Sequence, residues 1–221
     1  AQMMAAASAD VPAIIVPVGP MLVGHHRGET LGACTDCRRL WSDFRGGRIS
    51  AEEIDAVNGR LAPTAGTCMV MGTASTMACI VEIMGLALPH SASIPATHAD
   101  RLRSAEASGR QAAAMAGSGG AKPSELMTAA AFRNALVVLQ AIGGSTNGLI
   151  HLTAAAGRLG IPIDLDEVDR LGREVPVLVD LKPSGEHYME HFHHAGGVPK
   201  LMKQLGDLID LDAKTIEGKT L

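Results

Sequence analysis

Apolar residues follow two patterns along this chain, long helical blocks and two short continuous runs. The runs at 11–18 and 177–181 are rich in Val and Ile, and such runs are typical of buried parallel strands. The remaining periodic segments predict helices at 29–45, 50–61, 69–87, 98–116, 123–142, from about 147 to 158, from 164 or 166 onward, and at 187–206. Ser50 is the predicted N-cap of the second of these helices. Strands at intervals between helices predict an α/β fold, a helix-rich, three-layer parallel sheet flanked by helices.

Composition then narrows the function classes. Hydrophobic residues make up 47% of the chain and charged residues 19%, which is typical of a globular protein. The net charge of −4 and the aromatic content of 2% argue against a nucleic-acid partner. No apolar run approaches the roughly 20 residues that span a bilayer, and we find no basic leader before an apolar stretch. We therefore expect a cytoplasmic protein with a small-molecule substrate, without a membrane partner.

The ends of the sequence suggest a piece of a longer protein. There is no initiator Met, and residues 1–7 have the composition of a helix that is already under way. Residues 217–221 resemble the approach to a further element. We interpret residues 1–221 as part of one domain.

The strongest candidate for chemistry is the thiol of Cys68. It lies between Gly66 and Gly72, just before a strongly apolar helix. A helix N-terminus presents unpaired N–H groups and a positive dipole end, and this environment favours the thiolate that binds metals. Glycines on both sides would let a bulky cofactor approach the backbone, and we expect the sulfur to face a cavity. The alternative is an ordinary buried cysteine.

The other cysteines are weaker candidates. Cys34 and Cys37 have the spacing of a zinc or redox pair, but no second pair of this spacing follows. Two ordinary helix cysteines are the favoured interpretation. Cys79 lies inside the apolar helix, and we expect it in the core.

A third pattern comprises His187, Glu190 and His191, the HxxEH order of inverted zinc peptidases. On a helix the two imidazoles would share one face. An acidic third ligand would be needed downstream. The candidates are Asp207, Asp210, Asp212 and Glu217.

The segment Gly143-Gly144-Ser145-Thr146-Asn147 is a polar break between two apolar helices. It could hold an anion on the N-terminus of the following helix, although it lacks the lysine of a phosphate loop. A tight turn capped by Ser145 or Thr146 is an equal alternative.

Taken together, four stretches resemble the family of dihydroxy-acid and sugar-acid dehydratases. They are Val16-Pro17-Val18-Gly19-Pro20-Met21, Gly66-Thr67-Cys68 through Thr76-Met77, Gly143 to Asn147, and His187-x-Met189-Glu190 with Ala195-Gly196-Gly197-Val198-Pro199. They occur in the family's order and approximate spacing, over essentially the whole chain.

The resemblance implies a cofactor role for Cys68. Family members hold a [2Fe–2S] cluster on three cysteines, and Cys68 matches the third; Cys34 and Cys37 match none of them. The other two ligands, and a Mg²⁺ site with a carbamylated lysine, would lie upstream. A serine base would lie in a C-terminal domain. Residues 1–221 would thus be the second part of the N-terminal α/β cluster-binding domain of a two-domain enzyme.

The resemblance also implies a reaction, the dehydration of a 2,3-dihydroxy carboxylate to a 2-keto-3-deoxy acid. The segment Thr35 to Trp41 and the Gly-Thr-Cys-x-x-Met-Gly variant look closer to the pentonate and hexonate dehydratases than to the branched-chain amino-acid enzyme, which remains the alternative. Ser145 and Thr146 would then be candidates to line the site.

Two interpretations from other classes stay open, the zinc peptidase and a non-catalytic packing or dimer module. The second rests on the apolar helices predicted at 69–87 and 123–142, because they could exceed what one partial domain buries. The family is typically oligomeric, so we expect a homodimer or homotetramer.

Overall fold

The structure, a computed structural model, describes the backbone of residues 1–221 and all their side chains except those of Ala33 and Cys34. Helices dominate this described chain. They are α1 (Gln2–Ala9), α2 (Ala33–Arg45), α3 (Ala51–Asn58), α4 (Thr73–Ile83), α5 (Ala99–Ser118), α6 (Pro123–Leu126), α7 (Ala129–Ala141), α8 (Thr146–Arg158), α9 (Leu165–Glu174), α10 (Met189–His194) and α11 (Gly197–Leu205). None of the described helices combines the length and the apolar character of a membrane span.

The sheet found along the described backbone is a two-stranded antiparallel hairpin, β1 (Gly24–His26) and β2 (Glu29–Leu31). Its two turn residues, Arg27 and Gly28, both have positive φ angles, 48° and 85°. Two such residues give the tight turn whose twist matches that of the flanking strands. The sequence interpretation missed this hairpin because it extended the following helix back to residue 29.

The predicted three-layer parallel sheet is absent from the described residues. The run at 11–18 forms no strand, and Ile15 donates its N–H to the carbonyl of Leu86. The run at 177–181 forms no strand either: Leu181 makes one isolated bridge to His187, and Leu178 donates to the carbonyl of Ala141 at the end of α7. A strand needs a second extended segment beside it, and here the carbonyls that accept these N–H groups belong to helix ends and their following turns. The fold is therefore helix-rich, with only a small β component.

The main core forms where α4, α7 and α8 pack together. Close approach is possible because Gly148 carries no side chain: a Cβ there would lie 2.9 Å from Cγ2 of Thr76 and 3.0 Å from Cδ1 of Leu139. Phe132 and Ile80 are fully enclosed in this core. The apolar helices α4 and α7 thus bury most of their residues within one chain, which removes the main reason to treat the segments 69–87 and 123–142 as a dimer surface.

Tertiary hydrogen bonds shorten the predicted helices. The helix expected from 69 to 87 begins only at Thr73, because Met69 accepts from the N–H of Met189 and Met71 donates to the carbonyl of Lys182. These bonds hold the chain outside the helical path. The helix ends near Gly85, whose φ of 70° and close contact with Thr215 exclude a side chain.

Two further predicted helices are divided. The segment 123–142 becomes α6 and α7, and Thr128 caps α7 by accepting from the N–H of Ala131. The segment 187–206 becomes α10 and α11, separated by Gly196 with φ of 109°. The predicted N-cap at Ser50 is confirmed, since its hydroxyl accepts from the N–H of Glu53.

A second, smaller core lies between the hairpin, α2 and α3. Its buried residues are aliphatic, and Cys37 and Phe44 pack against them from α2. The members are Leu31, Leu40, Ile54, Val57 and Leu61. This unit supports the part of the chain that precedes the Cys68 loop.

The connection between α4 and α5 is held by two buried charged side chains. The Glu82 carboxylate accepts from the N–H groups of His90 (2.8 Å) and Ala92 (2.7 Å). The Arg101 guanidinium donates to the carbonyls of Ser91 and Ile94 in the same loop. Burial raises the pKa of Glu82 to about 7, although the two N–H groups and Arg101 act in the opposite direction.

The raised pKa of Glu82 makes the free energy of unfolding depend on pH. Below the unfolded-state value near 4.5 the folded protein carries a neutral Glu82, and the cost of burying the charge appears as pH rises from 4.5 through about 7. A shift of this size corresponds to about 3 kcal/mol. We expect the stability of the wild type to fall by about that amount, relative to Glu82→Gln, between pH 4.5 and 8 in urea unfolding.

The exposed change Glu106→Gln is the control, and it should leave the pH profile unchanged. Parallel profiles for wild type and Glu82→Gln would show that Glu82 titrates normally.

Candidate functional site

Cys68 lies in a loop whose backbone is hydrogen-bonded to residues 19–21, which follow the apolar run at 11–18. The N–H of Thr67 donates to the carbonyl of Gly19 (2.9 Å), and the carbonyl of Thr67 accepts from Met21 (2.8 Å). The pair Pro20–Thr67 thereby forms a single parallel bridge. These bonds fix the position of the next residue, Cys68.

Gly66 makes this close approach possible. Its φ is 134°, and a Cβ would lie 2.4 Å from the amide nitrogen of Met21 and 2.7 Å from the carbonyl carbon of Pro20. A side chain would therefore clash with backbone that cannot yield. We predicted that Gly66 lets a cofactor approach the backbone. In the structure it instead lets the loop pack against the backbone of Pro20 and Met21. At Gly72 an added Cβ would meet nothing within 4 Å, so the space around this glycine is open.

The Cys68 side chain is half-buried against a small cluster made of Met69, Val70 and Tyr188. The prediction that a helix begins directly after Cys68 is wrong, since α4 begins five residues later at Thr73. The helix-dipole argument for a stabilised thiolate therefore does not apply directly to this sulfur.

A cation lies close to the same cluster. The ammonium nitrogen of Lys182 is 5.0 Å from the centroid of the buried Tyr188 ring. The Tyr188 hydroxyl raises the pKa of Lys182 most, with Asp36 and Glu186 contributing in the same direction. Lys182 is therefore a stable positive charge beside Tyr188, one of the buried residues against which Cys68 packs.

Sequence reasoning missed Tyr188 as part of the cluster against which Cys68 packs, and Lys182 as the cation beside that ring. The only available signal was that Tyr188 lies within the His187-x-Met189-Glu190 stretch and Lys182 shortly before it. The contact arises because Met189 donates its N–H to Met69 (2.8 Å), which joins two segments about 120 residues apart.

The Gly143–Asn147 segment forms the start of α8 next to the start of α4. Ser145 is the N-cap, its hydroxyl accepting from the N–H of Asn147 (3.3 Å) and lying 2.9 Å from Oγ1 of Thr73. The N–H of Ser145 in turn donates to the hydroxyl of Thr76 (3.0 Å). The predicted capped turn is thus confirmed for Ser145, whereas Thr146 is the first helical residue.

The structure also contains an open cavity of about 860 Å³. It is bounded by α1, the 11–20 segment and one face of α4, with Thr67 and Thr73 on its wall. Cys68 is not among its lining residues. The sulfur of Cys68 therefore does not face this cavity as expected. Its chain neighbour Thr67 and the first residue of α4, Thr73, do line the cavity.

The other cysteines lie away from this loop or, for Cys34, outside the described side chains. Cys37 is half-buried in the smaller core, and without the Cys34 side chain the CxxC pair is not tested. Cys79 is fully buried, and burial raises the pKa of its thiol. The prediction that Cys79 is a core residue is confirmed.

The HxxEH histidines are neighbours but do not form a three-ligand site. The rings of His187 and His191 are 5.4 Å apart between centroids. His187 precedes α10 instead of lying on it, and Nδ1 of His191 accepts from the N–H of Tyr188. Among the described side chains, no acidic residue downstream joins this pair as a third ligand. The zinc-peptidase interpretation is not supported.

The Cys68 loop, the capped turn and the glycines after α10 are the stretches in which the sequence resembles a known family. Comparison with family profiles tests this resemblance. The sequence profile described as "Dihydroxy-acid/6-phosphogluconate dehydratase N-terminal" matches residues 1–221. The chain belongs to this family.

Curated relatives carry corresponding names. The chain is 46% identical to the L-arabonate dehydratase of Azospirillum brasilense over 100% of its length and 44% identical to the L-arabinonate dehydratase of Rhizobium leguminosarum bv. trifolii over 99%. It is 39% identical over 99% to the dihydroxy-acid dehydratase of Halothermothrix orenii. The matched region covers 38%, 38% and 40% of these three relatives, so the chain spans about two fifths of their length.

The lock at Gly66 can be tested by Gly66→Ala. We expect this change to lower the free energy of unfolding by about 1–3 kcal/mol from the positive φ alone, with the clash against Met21 adding to it. Urea unfolding measures the effect.

Gly109→Ala is the matched control. Gly109 lies inside α5, and a Cβ added there would meet no atom within 4 Å, so Ala should stabilise by about 0.5–1 kcal/mol. Equal effects of the two changes would contradict the proposed lock.

Proposed function

We propose that the protein containing this chain is a hydro-lyase that dehydrates a sugar acid, such as a pentonate, to a 2-keto-3-deoxy acid. The observation that carries the proposal is the Cys68 loop. Its thiol stands at the family's motif position, and the preceding residue, Thr67, is hydrogen-bonded through its N–H to Gly19 and through its carbonyl to Met21. Family membership over the whole chain supports the reaction class.

The residues present fit one ligand position of an iron–sulfur cluster. Cys68 offers a half-buried sulfur, and Lys182 adds positive charge beside Tyr188 in the cluster against which Cys68 packs. One thiolate does not hold a [2Fe–2S] cluster. We therefore propose that the other cysteine ligands, and the ligands of Mg²⁺, lie outside these 221 residues.

The reaction removes a proton from C2 and hydroxide from C3, giving an enol that becomes the 2-keto acid. When bound, the cluster and Mg²⁺ supply Lewis-acid stabilisation for the leaving oxygen and the carboxylate. The part of this chain is positioning. The Thr67 bridge keeps Cys68 in place, and the cluster of Met69, Val70 and Tyr188 limits water around its sulfur.

The adjacent starts of α4 and α8 give this chain a second role. Both helices are longer than two turns, and their first N–H groups lie around Thr73 and Ser145. Such helix ends attract anions. We propose that they contribute positive potential on the side from which the carboxylate of the sugar acid approaches.

The dihydroxy-acid dehydratase of branched-chain amino-acid synthesis is the second candidate function. Identity is 44–46% to the two pentonate enzymes and 39% to the dihydroxy-acid enzyme of Halothermothrix orenii, which favours the sugar-acid substrate. We also propose that the protein acts as a homo-oligomer in the cytoplasm.

The cofactor assignment is tested by Cys68→Ser in the full-length protein. We expect iron content, visible absorption and turnover to fall together, by about 10-fold or more, because loss of a ligand costs at least as much as loss of its supporting contacts. Iron analysis and a steady-state assay measure this.

Cys37→Ser is the control, since Cys37 is also half-buried but packs in the smaller core. It should keep both iron and turnover. If Cys68→Ser keeps both as well, Cys68 is not a ligand.

The substrate class is tested by comparing kcat/KM for L-arabinonate and for a branched 2,3-dihydroxy acid. A site built to hydrogen-bond several hydroxyls discriminates strongly against a substrate that lacks them. We expect a preference of about 100-fold or more for the sugar acid. A preference for the branched acid would assign the protein to the second function.

A further inference from the structure

Three potential metal ligands converge at the start of α5, two from α5 itself and one from α10, just after the His187–His191 pair. His98 is the N-cap of α5, Asp100 lies in its first turn, and His193 lies on α10. One ligand atom from each lies within 4.8 Å of the other two. We propose that these three residues form a Zn²⁺ site that joins α10 to the start of α5.

The distances suit a tetrahedral ion. Nδ1 of His98 and Oδ2 of Asp100 are 3.4 Å apart. Bonds of about 2.0–2.2 Å in a tetrahedral site place two ligand atoms about 3.3–3.6 Å apart. The centroids of the His98 and His193 rings are 5.6 Å apart, so a modest rotation of the half-buried His193 would bring its nitrogen to the same ion.

The ligand atoms are oriented by their neighbours. Arg103 donates to Oδ1 of Asp100, which leaves Oδ2 directed to His98. Nδ1 of His98 also accepts a long bond of 3.2 Å from the N–H of Asp100. A bound ion would be coordinated by this Nδ1 lone pair in place of the hydrogen bond. Carboxylates held in this way by outer partners are common around bound metals.

The backbone around the site is firmly supported. A Cβ at Gly197, just after α10, would lie 2.6 Å from the hydroxyl oxygen of Ser93. Arg101 holds the same loop through the carbonyls of Ser91 and Ile94. The end of α10 is therefore packed directly against the loop that leads into His98, so the three ligands do not depend on a loose segment.

The chemistry of the donors selects the ion. Two imidazoles and one carboxylate suit Zn²⁺ and related transition metals better than Mg²⁺, which prefers oxygen ligands. Three protein ligands leave a fourth position for water. The nearby Arg101 charge opposes a cation, so we expect affinity in the micromolar range. Because Met189 at the start of α10 bonds to Met69, an ion here would also steady the segment beside Cys68.

The test is a titration of the full-length protein with Zn²⁺, followed by calorimetry and by the melting temperature. His98→Asn retains a capping side chain and removes the imidazole, and Asp100→Asn retains size and removes the charge. We expect each of these, and His193→Ala, to weaken Zn²⁺ binding by about 10-fold or more, as loss of a ligand should, and to abolish the rise in melting temperature.

His194→Ala is the matched control, because His194 is adjacent on α10 but is not one of the three converging ligands. It should bind Zn²⁺ like the wild type. Co²⁺ substitution adds a second measurement: a tetrahedral visible spectrum without a thiolate charge-transfer band supports the His and Asp ligands, and such a band would assign the ion to cysteine.

Two further results would overturn the proposal. One is Zn²⁺ binding that survives both His98→Asn and Asp100→Asn. The other is binding that is lost with His187→Ala but kept with His193→Ala, which would place the ion on the HxxEH pair. Neither result bears on the Cys68 assignment, so this proposal and the proposed function fail independently.

Discussion

The buried Arg101 guanidinium organises the part of the chain on which the candidate site rests. It donates to the carbonyls of Pro17, Ser91 and Ile94, which come from two segments far apart in sequence. Burying a charge is costly unless the group is hydrogen-bonded. The carbonyls accept from both terminal nitrogens of the guanidinium, whereas its Nε has no hydrogen-bond partner among the described residues, and they join the run at 11–18 to the loop before α5. Glu82 secures that loop from the other side through N–H groups.

The Cys68 loop depends on this arrangement. Arg101 holds the carbonyl of Pro17, and the residues that follow, Gly19 and Met21, are hydrogen-bonded to Thr67. These bonds position the next residue, Cys68. The same tie determines where α5 begins and therefore where its N-cap, His98, meets α10. A single buried charge thus connects the proposed cluster ligand with the proposed Zn²⁺ site, although the two sites share no residue.

Several local features were predictable because short-range chemistry encodes them. Ser50 caps α3 and Ser145 caps α8 as expected, since a hydroxyl at these positions accepts from an N–H two or three residues later. The apolar helix containing Cys79 is buried as its composition indicates. The family motifs, Cys68 included, were readable because they are contiguous. The parallel sheet was not predictable in the same way, because a β-branched run such as 11–18 states only that it prefers an extended conformation.

The apolar helices, their capped starts, the family and the thiol that we assign to a cofactor could all be read from the amino-acid order, because each is written in residues close together along the chain. The folded chain was needed to show that residues 68–72 are not helical, that Cys68 packs against a cluster containing Tyr188, and that His193 meets His98. Each of these depends on a contact between distant segments, such as the bond from Met189 to Met69. Local periodicity carries no information about which distant backbone group will accept a hydrogen bond.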